Sequence, residues 1–182
     1  LSIIAFSERA RALAEKNTAP RFFWDLRAAH KSYLSKQTPY TPAITMFYAL
    51  QAALRMIMEE GIENAWARHR LMGEMCRAGV KAIGLELLAQ DEARASNSVT
   101  AVKAPFGPAQ FRKVVKNQFG VQLAGGQGKL KDSIFRIGHM GYATPNDVIQ
   151  ALATIEMGLA MMGQPVELGA GVKAAQQIWV EQ

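Results

Sequence analysis

The sequence predicts an α+β layer domain, a small mixed or antiparallel sheet covered on one side by helices, and three observations predict it. From Ala43 to Ile83 apolar residues recur every three or four positions, the spacing of helices. Past Gly84 the runs become short and rich in β-formers, as in Val99-Thr100-Ala101-Val102 and Ile134-Phe135-Arg136-Ile137. Helical segments opening on Pro108 and Pro145 separate and follow these runs.

Element by element, Leu1 to Phe6 suits a strand, and Ser7 caps an alanine-rich helix to Lys16. Trp24 to Leu34 suits a short helix with Asp25 near its start. Gln37-Thr38-Pro39-Tyr40-Thr41-Pro42 must be extended, because a residue before proline is pushed out of the α region. Ile44, Phe47, Leu50, Leu54 and Ile57 mark the next helix, which stops at Glu59-Glu60-Gly61. Another runs from about Ile62 to Ile83, burying Trp66, Leu71, Met75 and Val80 on one side, and Gly84 closes it. Leu85 to Leu88 and Val99 to Val102 read as strands around a polar loop, Asp91 to Ser98. A helix from Pro108 to Phe119, a strand at Val121 to Ala124 and a glycine-rich turn lead into the Arg136 strand. Thr144-Pro145-Asn146-Asp147 carries a cap, a first-turn proline and a first-turn acid, opening a helix to about Met162. Gly163 ends it, and Val172 to Val180 forms the last helix.

Composition narrows the function classes. The chain has 182 residues, 49% of them apolar and 20% charged, enough for one substantial core or for a domain plus a piece of another. No apolar run is long enough to span a bilayer, so no membrane partner is expected. The lone Cys76 cannot form an internal disulfide, which suits a reducing, cytoplasmic setting. The chain opens on a buried-strand pattern without an initiator Met and reads as cut from something larger. The net charge of +6 matches the excess in residues 101–140, where seven basic side chains face Asp132 alone. Such a patch attracts small anions, whereas Phe106, Phe111 and Phe119 read as core anchors and no nucleic-acid recognition motif accompanies them.

Within that patch Arg136 stands out, an arginine inside a short apolar strand. A guanidinium cannot shed its proton, so a position there needs an anion: a ligand, or a carboxylate of the chain itself. Other constellations fail. Gly125-Gly126-Gln127-Gly128-Lys129 resembles a phosphate loop, but a Walker A motif needs glycine at 123 and Ser or Thr at 130, and both are leucine. A dinucleotide fingerprint would need glycine at 131, which is Lys, so the segment reads as a tight connection between strands. His30, His69 and His139 lack metal-ligand spacing and read as surface or loop residues; no metal is expected. Cys76 lies in an apolar helix, no serine sits in a nucleophile elbow, and no complete catalytic set is present.

Four pieces remain, in order: Thr41-Pro42-Ala43-Ile44-Thr45, the long helix to Glu59-Glu60-Gly61, Ala124-Gly125-Gly126-Gln127, and Phe135-Arg136-Ile137-Gly138-His139-Met140-Gly141. Together they resemble the C-terminal part of the class V aminotransferases, most of all the alanine/serine–glyoxylate branch that includes proteins labelled as a soluble hydrogenase subunit. The resemblance extends to the Pro165-Val166-Glu167-Leu168-Gly169 tail. It implies the C-terminal domain of a fold type I transferase that uses pyridoxal 5'-phosphate and works as a homodimer with active sites at the subunit interface. On that basis residues 1–40 are the end of the large domain and its connection, 41–83 the connecting helices, and 84–182 the small α+β domain. Arg136 would bind the substrate carboxylate, and Thr41 would contact the cofactor phosphate of the partner subunit. Tyr40 stands near a phosphate-contacting tyrosine of some members, although the local spacing differs. The Schiff-base lysine and the aspartate that pairs with the cofactor ring would lie upstream of residue 1, so no catalytic residue is expected in this stretch and the piece alone should be inactive. The implied reaction moves an amino group from alanine or serine to glyoxylate or pyruvate. Alternatives are aspartate transamination or desulfuration on the same scaffold, and a non-catalytic dimerisation module.

Overall fold

A computed structural model of the chain describes residues 1–182, which form two compact units, Leu1–Glu60 and Gly61–Gln182. The first holds α1 (Glu8–Lys16), α2 (Leu26–Leu34) and α3 (Ile44–Glu60). Ser7 Oγ accepts from Ala10 N at 3.3 Å, and Asp25 Oδ1 accepts from Arg27 N at 3.0 Å, so polar side chains start the first two helices as expected. Residues 1–6 are not a strand. A strand needs a hydrogen-bonded neighbour, and this unit contains none. None of the three helices has a buried residue, although α3 carries the apolar period that identified it.

The second unit contains α4 (Ile62–Ala82), β1 (Val99–Lys103), α5 (Pro108–Phe119), β2 (Ala124–Gly125), β3 (Ile134–Gly138), α6 (Pro145–Met161) and α7 (Ala170–Val180). Its sheet is antiparallel throughout, in the order β1-β3-β2. Phe135, Ile137 and Val102 form the inner face and pack with Met72, Met75 and Val80 of α4, Phe111 and Val115 of α5, and Leu152, Ile155 and Leu159 of α6. Trp66 is 62% exposed, contrary to its place in the apolar pattern, because the buried run of α4 is concentrated from Leu71 onward.

Two expected strands shrink. Leu85–Leu88 contributes one bridge, Leu87 to Val102, supported by Leu88 N to Ala101 O at 2.9 Å and Lys103 N to Glu86 O at 2.8 Å. In place of Val121–Ala124, only Ala124 and Gly125 pair with β3. The chain then turns back so tightly that a side chain at Gly126 would fall on the carbonyl of Leu130, which confirms the strand-to-strand connection and makes glycine obligatory there. Glu156 is the unexpected internal anchor. Its carboxylate is buried and accepts from the amides of Gly169 and Gly171, both at 2.7 Å, holding the start of α7.

Candidate substrate-carboxylate site

Arg136 is central in the sheet, paired with Ala101 of β1 on one side and Ala124 of β2 on the other. Paired residues share a face, so the guanidinium rises between two methyl groups. Two residues further along the same face is Gly138, beyond whose Cα lies open space. The opposite face, carrying Phe135 and Ile137, is buried. Strand alternation therefore separates a packed inner surface from an outer platform on which Arg136 stands between Ala101 and Ala124, with Ile134 and Lys103 at one end and Val99 and Gly138 at the other.

The arginine is half-buried and forms no ion pair within the chain, which removes the structural salt bridge as its reason for being there. Its one hydrogen bond is from Nε to the carbonyl of Gly125, at 2.8 Å. That bond fixes the plane of the guanidinium and leaves both terminal nitrogens to donate in parallel, the geometry suited to a carboxylate. The space over the other face of Gly125 is taken as well. The guanidinium of Arg112 lies 2.8 Å from where a Gly125 Cβ would stand, so the residue that orients Arg136 is one that has no side chain. The charge excess of this region hinted at a second cation, but only the fold brings Arg112 to the same residue.

Behind the platform lies a polar pocket of the core. His139, expected on the surface or in a loop, lies in the loop after β3 but is only 1% exposed. Its Nδ1 meets the carbonyl of Asn97 at 3.1 Å and so carries the proton, and its Nε2 accepts from Thr100 Oγ1 at 2.9 Å. Burial pushes the His139 pKa down, keeping the ring neutral. The same cause pushes the Cys76 thiol up to about 11, away from a reactive thiolate. Both groups are structural, and neither is presented to a substrate.

In the first unit, Tyr40 stacks on Phe23 with centroids 5.1 Å apart and donates its hydroxyl proton to the carbonyl of Phe22 at 3.1 Å. Thr41 is exposed and its hydroxyl makes no hydrogen bond in the chain. It does not cap α3: the carbonyl of Ala43 accepts from Phe47 N at 3.2 Å, so Ala43, which has no side-chain oxygen, occupies the cap position. A plain capping role for Thr41 is thereby removed.

Comparisons with known proteins identify the family. The family model described as aminotransferase class-V matches residues 31–150. An uncharacterized aminotransferase of Methanocaldococcus jannaschii is 40% identical over 100% of this chain and 48% of its own length. The serine–glyoxylate aminotransferase of Arabidopsis thaliana is 36% identical over 96% of this chain and 44% of its own. Among solved structures, pyridoxamine–pyruvate aminotransferase from Mesorhizobium loti superposes with a TM-score of 0.89 at 33% identity, covering 96% of this chain and 46% of that one. The chain thus spans about half the length of the relatives it matches, and its fold is that of the corresponding part of the fold type I transferases. With the family model matching residues 31–150, well over half of the sequence, and relatives up to 40% identical along its whole length, the chain belongs to the class V aminotransferases.

Proposed function

We propose that the full-length enzyme moves an amino group from a small amino acid, alanine or serine, to a small 2-oxo acid such as glyoxylate or pyruvate, and that Arg136 binds the carboxylate common to all of them. The observation that carries this is the half-buried guanidinium with no carboxylate of its own, oriented by Gly125 and flanked by Ala101 and Ala124. The names of the serine–glyoxylate and pyridoxamine–pyruvate relatives support the substrate class, since glyoxylate and pyruvate are both small 2-oxo acids.

The residues present fit pyridoxal phosphate at one position. Thr41 offers an unpaired hydroxyl just before a helix whose cap residue has no side-chain oxygen, a donor set suited to a phosphate. Tyr40 offers less, because its hydroxyl proton is committed to Phe22, and its proposed part is to brace the loop that presents Thr41. The cofactor supplies an electron sink for the amino-group transfer. This chain contributes substrate orientation through Arg136 and phosphate retention through Thr41, and the Schiff-base lysine belongs to the remainder of the enzyme. A cytoplasmic homodimer is part of the proposal, with Thr41 serving the partner subunit's cofactor; no helix is long and apolar enough to cross a membrane.

The test is substrate discrimination in the full-length enzyme. Arg136→Ala should lower kcat/KM for alanine by roughly 30-fold to several-thousand-fold, the cost of about 2 to 5 kcal/mol for a charged partner left unpaired. Arg136→Lys should recover part of the loss. Ethylamine, which lacks the carboxylate, should be turned over equally by both variants and the parent. Equal losses for alanine and ethylamine, with a lowered melting temperature, would return Arg136 to a bracing role.

A further inference from the structure

We infer that His69, helped by Arg68, is a positioning residue for Arg136, acting through the loop that follows β3; the inference rests on the carboxylate reading above. The need for it lies in the sheet. β2 pairs only with Phe135 and Arg136, so from Ile137 onward β3 has a neighbour on one side alone, β1. Beyond Gly138 the strand exits through His139 to Thr144, and two side chains of α4 take hold of it there. Arg68 Nη1 donates to the carbonyls of Gly141 at 3.0 Å and Ala143 at 2.7 Å. The amide of Gly141 donates to His69 Nε2 at 3.1 Å.

His69 is committed to one protonation state by its two partners. Its Nδ1 lies 2.6 Å from the carbonyl of Ala65, which can only accept, so Nδ1 carries the proton. A backbone amide can only donate, so Nε2 must be bare. A second proton would sit where the Gly141 N–H already points, and the clamp would open.

All three clamp bonds go to backbone atoms of one loop, so they fix the path of the chain, whatever its side chains. That path is the exit of β3, whose last residue, Gly138, stands two positions past Arg136. Two-pronged recognition of a carboxylate tolerates little misplacement. The acceptor nitrogen of His69 is therefore a requirement for tight carboxylate binding.

The experiment follows the Arg136 Nε–H resonance of the chain by NMR while pyruvate is added, with acetone, in which a methyl group replaces the carboxylate, as control. Pyruvate should shift the resonance and acetone should not. His69→Ala should weaken pyruvate binding about tenfold, the scale of one hydrogen bond lost beside a charged group. His69→Gln, whose amide oxygen can accept from Gly141, should restore most of the affinity. Unchanged pyruvate affinity in His69→Ala, or no recovery in His69→Gln, overturns the inference while leaving the carboxylate reading intact. Should His69→Ala fail to fold, His69→Leu, which keeps the bulk without an acceptor, takes its place against His69→Gln. No shift of Arg136 in the parent chain overturns the carboxylate reading itself, and this inference with it.

Discussion

Two helices of this chain follow the same dipeptide, Thr41-Pro42 before α3 and Thr144-Pro145 before α6, and the two regions use it differently. At α6 the proline is the first helical residue. The carboxylate of Asp147 reaches back to accept from Thr144 N at 2.7 Å and from Thr144 Oγ1 at 2.8 Å. At α3 the helix starts two residues later, Ala43 takes the cap position, and the threonine hydroxyl is left with no partner. The contrast extends to packing. The face of α6 buries Val148, Leu152, Ile155 and Leu159, whereas no residue of α3 is buried, with Phe47 45% and Tyr48 69% exposed. One start is a finished piece of folding. The other leaves a polar group and an apolar face for something outside this chain to use, as the proposed cofactor phosphate and subunit partner would.

The sharpest way to break that comparison is to remove one aromatic ring from each unit. Phe135 is 0% exposed in the core behind Arg136, and truncation to alanine there should cost about 3 to 5 kcal/mol in chemical denaturation of the chain. Phe47→Ala should cost under about 1 kcal/mol in the same measurement. Similar losses would mean that α3 buries its face within the chain, and the contrast would fail.

Acid should separate the two units next. The pKa of His139 is lowered by burial, so the unfolded chain binds its proton more readily than the native one. Stability from this group is thus complete above the unfolded value, about 6.5, and declines as pH falls from there through the native value. His139→Gln should flatten that part of the stability–pH curve for the second unit. In the first unit the Arg27 side chain beside Asp25 lowers its carboxyl to about 2, so Asp25 favours folding above the ordinary carboxylate range and loses that contribution only as pH falls toward about 2. Mild acid should loosen the second unit through His139 while the Asp25 contact persists. A parent chain whose second unit keeps its full stability well below pH 6 would remove His139 from the account.

Much of this was legible in the sequence where the signal was local. Thr144-Pro145-Asn146-Asp147 announced its cap, Pro108 and Gly120 bounded α5, and Gly125 to Gly128 announced a tight turn. Arg136 could be singled out because charge inside an apolar strand is costly. What failed depended on partners distant in sequence. The apolar run Leu1–Phe6 lacks a neighbouring strand, Trp66 lies before the buried stretch of its helix, and His139 is buried by Asn97 and Thr100, about 40 residues upstream. No spacing rule could have linked Arg112 or His69 to this region, because Arg112 fills the space over a glycine and His69 meets a backbone amide of another segment, and neither leaves a trace in sequence.

The smallest expected effect tests the comparison where it began. Thr144→Ala removes a hydroxyl bonded to Asp147 and should cost about 1 kcal/mol of chain stability, the usual value for a lost cap. Thr41→Ala removes a hydroxyl with no partner, so it should leave stability within about 0.5 kcal/mol of the parent, as surface substitutions do. In the full-length enzyme the order should reverse. There Thr41→Ala should weaken retention of pyridoxal phosphate by about 1 to 2 kcal/mol, one hydrogen bond to a charged group, while Thr144→Ala leaves retention unchanged. Equilibrium dialysis of the cofactor, run beside urea denaturation of both variants, measures the two quantities separately. If Thr41→Ala destabilises the chain as much as Thr144→Ala and retains cofactor normally, the two threonines do the same work, and the phosphate role assigned to Thr41 falls.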